Sequence, residues 1–254
     1  MGVLEGKVCL ITGGAGGLGL TTAKLFIENG AKVIIADINE EKGKAEVEKI
    51  KEAGGTADFV LADVTTGKSA EKMVNFVADT YGQLDIAVNS AARIKDNRPI
   101  AEMDIVEFDD IIETNLKGVA LSMKYELRQM MIQGKGGKII NISAVSGLRA
   151  QSNMPAHMAA KHAIAGLTKS AAMDYSPFGI HINAVAPGAI NTPELEKALE
   201  GFNFRNKEFS DQLSMMKRFA EPVEVAQAVL WLASEASSFV TGAVIPVDGG
   251  YTAK

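Results

Sequence analysis

The run Thr12-Gly13-Gly14-Ala15-Gly16-Gly17-Leu18-Gly19 and the acid Asp37, 24 residues after Gly13, are residue types with an assignable chemistry. Glycine lacks a Cβ, so a chain rich in it turns sharply and brings its amides close to a pyrophosphate. A carboxylate at that spacing is placed to bond the hydroxyls of an adenosine ribose. It would also repel a 2'-phosphate, and neither the glycine run nor the residue directly after Asp37 is an Arg or Lys that would attract one. The pair reads as a dinucleotide site that takes NAD rather than NADP.

Three elements must position these residues. Val8-Cys9-Leu10-Ile11 is too short for a helix and suits a strand buried on both faces. From Leu20 to Asn29 the apolar residues fall on one side of a helix, which Gly30 ends, and its N-terminus offers free amides and partial positive charge. Val33-Ile34-Ile35-Ala36 is a second buried strand with Asp37 at its carboxyl end.

The pattern recurs along the chain. A charged helix is expected over Asn39–Ala53, a strand over Thr56–Leu61, a helix over Lys68–Tyr81 and a strand over Leu84–Val88. A long helix follows over Asp104–Gln133 with Asn115 near its middle, then a strand over Lys138–Ile142, a second long helix over Met154–Ser176 and a strand over His181–Val185. A helix over Glu221–Ser234, with Trp231 read as a core residue, and a short strand within Ala243–Gly250 complete the succession. Alternating strands and helices without a linker or repeat predict one doubly wound α/β domain over residues 1–254, its parallel sheet covered on both faces. The segment from Ile190 to Arg218 lacks a clear strand and carries Phe202, Phe204, Phe209, Leu213, Met215 and Met216. It reads either as a substrate lid over about 190–218 or as an irregular, permanently packed helix pair.

Composition narrows the function classes. A net charge of −5 provides no basic footprint, so nucleic acid is not an expected partner. The single Cys9 lies in the first strand, where a small buried hydrophobe is expected, and it cannot form a disulfide within one chain. No stretch reads as a membrane span or a cleaved signal, so a cytoplasmic location is expected. Three histidines and one cysteine do not make a metal site, and none is expected.

With its elements placed, the chain from about Lys7 to Tyr251 resembles the short-chain dehydrogenase/reductase family. Thr12-Gly13-x-x-x-Gly17-x-Gly19 is similar to its cofactor loop, Asp63-Val64 to its adenine contact and Asn89 to the start of its fourth-strand motif. Asn115 matches its active-site asparagine, Lys161 its helix lysine, and Pro187-Gly188 followed by Thr192 its nicotinamide clamp. The resemblance implies a sheet of about seven strands, a homotetramer built through the two long helices, and a small-molecule substrate. It implies cofactor contacts from Gly13, Gly17, Leu18, Gly19, Asp37, Ile38, Asp63, Val64, Asn89, Ala91, Lys161, Pro187, Gly188, Ile190 and Thr192. The closing stretch, Arg218-Phe219-Ala220-Glu221-Pro222 and Phe239-Val240-Thr241-Gly242 before Asp248-Gly249-Gly250, looks most like members acting on secondary alcohols and cyclic diols.

Two departures fall on the chemistry that the resemblance implies. The family carries Tyr-x-x-x-Lys, with the tyrosine as general acid/base, where this chain has His157-Met158-Ala159-Ala160-Lys161. The family's serine, thirteen positions earlier, is Ala144 here. Ser143 is adjacent, but neighbouring strand residues point to opposite faces, so it is no obvious substitute. A milder change is Asn89-Ser90-Ala91-Ala92, where the family usually has Asn-Asn-Ala-Gly.

An imidazole near a lysine charge is neutral at pH 7, usable as a base and poor as a proton donor. It also reaches less far than a phenol. Three functions stay open: an NAD-dependent oxidoreductase with His157 in the tyrosine position, a non-redox isomerase or lyase using His157, Lys161 and Asn115, or an inactive NAD-binding variant. In the first, Asn115 and Lys161 hold a proton-relay water and Ala144 marks the vacated serine position. Arg93, Lys95 and Arg98, just beyond the fourth strand, read either as contacts to an anionic or polyhydroxylated substrate or as a solvated basic loop.

Overall fold

The computed structural model describes residues 2–94, 96–192 and 211–254. Seven parallel strands form one sheet in the order β3-β2-β1-β4-β5-β6-β7: β1 Val8–Thr12, β2 Lys32–Asp37, β3 Ala57–Leu61, β4 Ile86–Asn89, β5 Gly137–Ile142, β6 Ile180–Pro187 and β7 Val244–Val247. The order reverses between β1 and β4. In an open parallel sheet the crevice at that switch point, beyond the carboxyl ends of the strands, is where a ligand fits.

Helices α1 (Gly17–Glu28), α2 (Glu40–Glu52), α3 (Gly67–Tyr81), α4 (Ile105–Ile112), α5 (Gly118–Gln133), α6 (Pro155–Tyr175) and α7 (Pro222–Ala233) cover the two faces. Alternate residues of each strand feed two cores. Cys9, Ile11, Val33 and Ile35 pack with Phe26 of α1 and Val229 of α7, while Val8, Leu10 and Ile34 pack with Met73 of α3, Met123 of α5 and Ile164 of α6. Helix ends follow local chemistry. Asn39, Thr66 and Asp104 cap α2, α3 and α4, left-handed Gly82 and Gly134 close α3 and α5, and Pro222 opens α7 inside a Glu221/Glu224 capping box.

Three expectations need correction. The helix α1 begins at Gly17 rather than Leu20, because two glycines of the run form its first turn despite their low propensity. The long helix expected over Asp104–Gln133 is α4 and α5 joined by a π-helical turn, Glu113–Lys117, that contains Asn115. Trp231 is 40% exposed rather than in the core, since α7 buries Val225, Ala226, Val229, Leu230, Leu232 and Ala233 and turns residue 231 outward. Most of the expected lid, residues 193–210, and Lys95 lie outside the described residues.

Candidate active site at the strand tips

The strand register aligns the carboxyl ends: Thr12 stands beside Ala36 and Asn89, Asn89 beside Asn141, and Ile142 beside Val185. At the β1 tip the glycine run folds back on itself. Gly13 and Gly17 take left-handed backbone (φ 65° and 47°), and a Cβ on Gly19 would stand 2.2 Å from the Gly13 carbonyl oxygen. The N-cap of α1 is Gly16, without a side-chain cap, and its first turn holds no acid, so its first amides have no side-chain acceptor from the N-cap. Asp37 accepts from Ala15 N at 3.0 Å and Asn39 N at 2.9 Å, which puts a carboxylate against the turn, and Ile38 beside it is exposed. This cradle fits a dinucleotide: open amides for a pyrophosphate and an acid for a ribose.

The other cofactor residues expected from the sequence share this edge. Thr12 Oγ1 accepts from Ser90 N and Ala91 N, which fastens the chain after β4 to β1. Asp63 accepts from Thr65 N and Thr65 Oγ1, while its own amide donates to Ser69 Oγ. Val64, Asn89 and Ala91 line one narrow cleft with Thr12, Gly118, Val119 and Ser122. Leu18, half-buried, packs against the core below the turn. At the β6 tip Pro187 is buried, Gly188 N donates to Val247 O, and Ile190 bridges to Ala220, with Thr192 half-buried two residues on.

The residues expected to do acid/base chemistry come from three further elements. Asn115, fully buried on the π-turn, accepts from Arg93 N at 2.7 Å and donates to Arg93 O at 2.9 Å, clamping the backbone of one residue in the chain beyond β4. Arg93 itself extends to Asp110 at 2.9 Å, so it is ion-paired, and Arg98 is exposed. Lys161 is 4% exposed, and its Nζ donates to Ile142 O at 2.7 Å; burial pulls the ammonium down to about 8. Ser143 Oγ donates to Lys161 O at 2.9 Å, which commits that hydroxyl away from position 144. Ala144 is extended and partly exposed, with no side-chain polar atom.

His157 occupies the third position of α6 and is 7% exposed. Its Nδ1 is enclosed without a hydrogen-bond partner among the described residues. Burial first, and the Lys161 charge second, hold its pKa at about 3, so the ring is neutral over the physiological range.

Two features carry no local signal or a faint one. Asp96 Oδ2 accepts from His157 N at 2.8 Å, capping α6 from 61 residues away where Met154 supplies no side-chain cap. Glu126 lies fully buried on the inner face of α5 and receives Asn89 Nδ2 at 3.1 Å. Its sequence signal is an acid at helical spacing among Ser122, Met123, Leu127 and Met130, all on the buried side. Among the described residues no group of three His, Cys, Asp or Glu is placed to hold a metal, and no helix is long and apolar enough to cross a membrane.

The family model described as enoyl-(acyl carrier protein) reductase matches residues 13–252. A short chain dehydrogenase/reductase of Aspergillus oryzae is 44% identical over 97% of this chain and 95% of its own length. The chain belongs to the short-chain dehydrogenase/reductase family. A 2,5-dichloro-2,5-cyclohexadiene-1,4-diol dehydrogenase of Sphingobium indicum is 38% identical over the whole of both chains. Among solved structures, levodione reductase superposes with a TM-score of 0.92 at 34% identity, covering 98% of this chain and 99% of its own. A candidate 2-deoxy-D-gluconate 3-dehydrogenase of Agrobacterium tumefaciens, with NADP bound, gives 0.89 at 31% identity, covering 99% and 98%. Members of this family are oxidoreductases that use a nicotinamide cofactor.

Proposed function

We propose that this chain is an NAD-dependent oxidoreductase acting on a secondary alcohol or the matching ketone, a cyclic one in particular, through an altered acid/base site. The cradle at the β1 tip carries the reading: a glycine turn against open helix amides, with Asp37 bonded to that turn. The dichlorocyclohexadienediol relative supports a cyclic secondary alcohol. The NADP-bound neighbour speaks for a phosphorylated cofactor, but here a carboxylate and the apolar Ile38 stand where a 2'-phosphate needs a cation.

When bound, NAD supplies the hydride acceptor. The chain's own part is to hold the substrate and move its proton. His157 lies in the acid/base position, and with Nδ1 enclosed, Nε2 is the ring nitrogen left to take the hydroxyl proton of an alcohol. Lys161 sets the local positive charge and, with Asn115, frames a proton-relay water. Ala144 marks the vacated hydroxyl, so a carbonyl oxygen has one donor fewer. A base held at about 3 accepts a proton reluctantly, and the ring is never charged enough at pH 7 to return one. Slow turnover follows in both directions.

The rest of the reading is a single domain over residues 1–254 with a lid at about 190–218 contributing an apolar substrate wall. It also includes a homotetramer joined through α4–α5 and α6 and a cytoplasmic location. Calorimetry with NAD and NADP, followed by NADH formation with cyclic and linear secondary alcohols and product analysis, tests the function. The expected result is NAD bound at least about tenfold tighter than NADP, a difference of about 1.4 kcal/mol, with slow formation of NADH. Substrate conversion without NADH would favour a non-redox isomerase or lyase, NAD binding without any conversion would leave a binding protein, and binding of neither dinucleotide would remove the reading altogether.

A further inference from the structure

Glu126 takes no part in the acid/base chemistry, yet it is a fully buried acid directly behind the switch point. Among the described residues its carboxyl receives one hydrogen bond, from Asn89 Nδ2 at 3.1 Å, and that amide also donates to Asn141 Oδ1 at 3.0 Å. Asn141 Nδ2 in turn donates to Thr168 Oγ1 of α6 at 3.0 Å. A continuous polar chain therefore runs from α5 through the tips of β4 and β5 to α6. Asn89 is the last residue of β4, and Ser90 and Ala91, the next two, are held by Thr12 at the β1 tip. Asn89 and Ala91 both line the cleft beside Val64, on the cofactor edge.

The donor inventory is unbalanced. Among the described residues Asn89 Oδ1, Glu126 Oε1 and Ser122 Oγ are all enclosed without partners, and Ser122 lies one turn before Glu126 on the same helix face. Two of these atoms are pure acceptors if the glutamate is ionised, leaving the Ser122 hydroxyl as the sole donor. A proton on the carboxyl adds the missing O–H. We infer that Glu126 is a positioning residue of the cofactor site, held as the neutral acid, whose bond to Asn89 fixes the β4 tip and the chain that leaves it. This inference rests on the dinucleotide reading above.

Charged groups on the packed elements do not counter it. On α3, Lys68, Glu71, Lys72 and Asp79 are exposed, and on α5, Lys124 and Arg128 lie over the Tyr125 ring. On β5, Lys138 binds Ser234 and Ser237 at the opposite end of the strand, while on α6, Lys161 is bonded to Ile142 and Lys169 is exposed. Burial pushes the Glu126 carboxyl up to about 8, and the Asn89 bond opposes this only in part. Alkaline pH would then place a charge with no counter-ion behind the β4 tip.

The test uses the whole protein and Glu126→Gln, which keeps a neutral group of the same shape. Infrared spectra at neutral pH should contain the C=O stretch of one buried protonated carboxylic acid that the variant lacks. NADH affinity of the unmodified chain, followed by cofactor fluorescence, should fall several-fold from about pH 6.5 to about pH 9.5, and that of Glu126→Gln should fall less, keeping only the part that loss of the Lys161 charge contributes to both proteins. Spectra without such a band, or the same alkaline loss in both proteins, would overturn the inference. Failure to bind NADH even at pH 6.5 would instead overturn the dinucleotide reading, and the infrared band would still decide the state of Glu126.

Discussion

The two halves of the strand-tip edge differ in where their unused polar groups lie. On the cofactor half, Thr12, Asp37 and Asp63 each accept two hydrogen bonds and the glycine turn is seated against both α1 and the chain after β4, while the unpartnered atoms of Asn89, Ser122 and Glu126 lie behind the β4 tip, away from that turn. On the half proposed for acid/base work, His157 Nδ1 and Ser146 Oγ are enclosed without partners among the described residues, and Ala144 has no side-chain polar atom. Unpartnered buried polar atoms are uncommon in folded proteins and mark places where a structure serves something other than its own stability. Holding a dinucleotide draws on backbone amides that survive side-chain change. Proton transfer depends on two or three side-chain atoms, and replacing them leaves the scaffold intact.

The strongest way to break this contrast is to place a serine and a tyrosine hydroxyl at positions 144 and 157. Ala144→Ser together with His157→Tyr should raise kcat/KM for a cyclic secondary alcohol by about 10² or more, the usual magnitude for donors at a developing charge. NAD affinity should change little. Equal rates in both proteins would mean that His157 already works and that the halves are not unequal.

The opposite change damages the cofactor half. A methyl on Gly19 would meet the Gly13 carbonyl at 2.2 Å, so Gly19→Ala must displace the turn or the start of α1. We expect NAD affinity to fall by about tenfold to a hundredfold, about 1.4 to 3 kcal/mol, when titrated calorimetrically. Affinity within twofold of the parent would show that the turn is not the cradle.

Stability against pH separates the buried groups by sign. Between about pH 3 and about 6.5 the unfolded chain protonates residue 157 and the folded chain does not, so stability should fall as pH drops through that window. For Glu126 the folded chain keeps its proton between about 4.5 and about 8 while the unfolded chain has lost it, so stability should fall as pH rises through that range. In denaturant unfolding across pH, His157→Phe should flatten the acid limb and Glu126→Gln the alkaline limb. Each change should reach up to a few kcal/mol, since a proton bound in only one of the two states is worth about 1.4 kcal/mol for every tenfold change in acidity. Identical profiles for a variant and its parent would clear that residue of the cost assigned to it.

The smallest effect concerns the outer surface. Trp231→Ala removes a side chain that is 40% exposed, so the chain taken alone should lose about 1 to 2 kcal/mol in denaturant unfolding, well below the loss for a fully buried tryptophan. A much larger loss that depends on protein concentration would place this face in a subunit contact.

Much of the scaffold was legible along the chain. Strand runs such as Val33–Ala36 sit between turn residues, the glycine run is contiguous, and Asp37 directly ends its strand. The position of His157 one helical turn before Lys161 was legible for the same reason, and the structure places both on α6. The π-turn at Asn115 was not, because a helix of i→i+4 spacing and one with an inserted residue share nearly the same local pattern. Trp231 was misread because its bulk and apolar character say nothing about which side of α7 faces the sheet.

The sequence by itself determined the element order, the glycine turn with its acid, and the spacing of His157 and Lys161 on one helix, since each is carried by neighbours within a few turns of chain. Only the tertiary structure decided that Asp96 caps the helix bearing His157 across 61 residues and that Glu126 meets Asn89 across 37. It also decided that burial holds His157 neutral while raising the Glu126 carboxyl. Desolvation and long-range hydrogen bonding depend on what the fold brings alongside a residue, and that quantity has no local imprint in the chain.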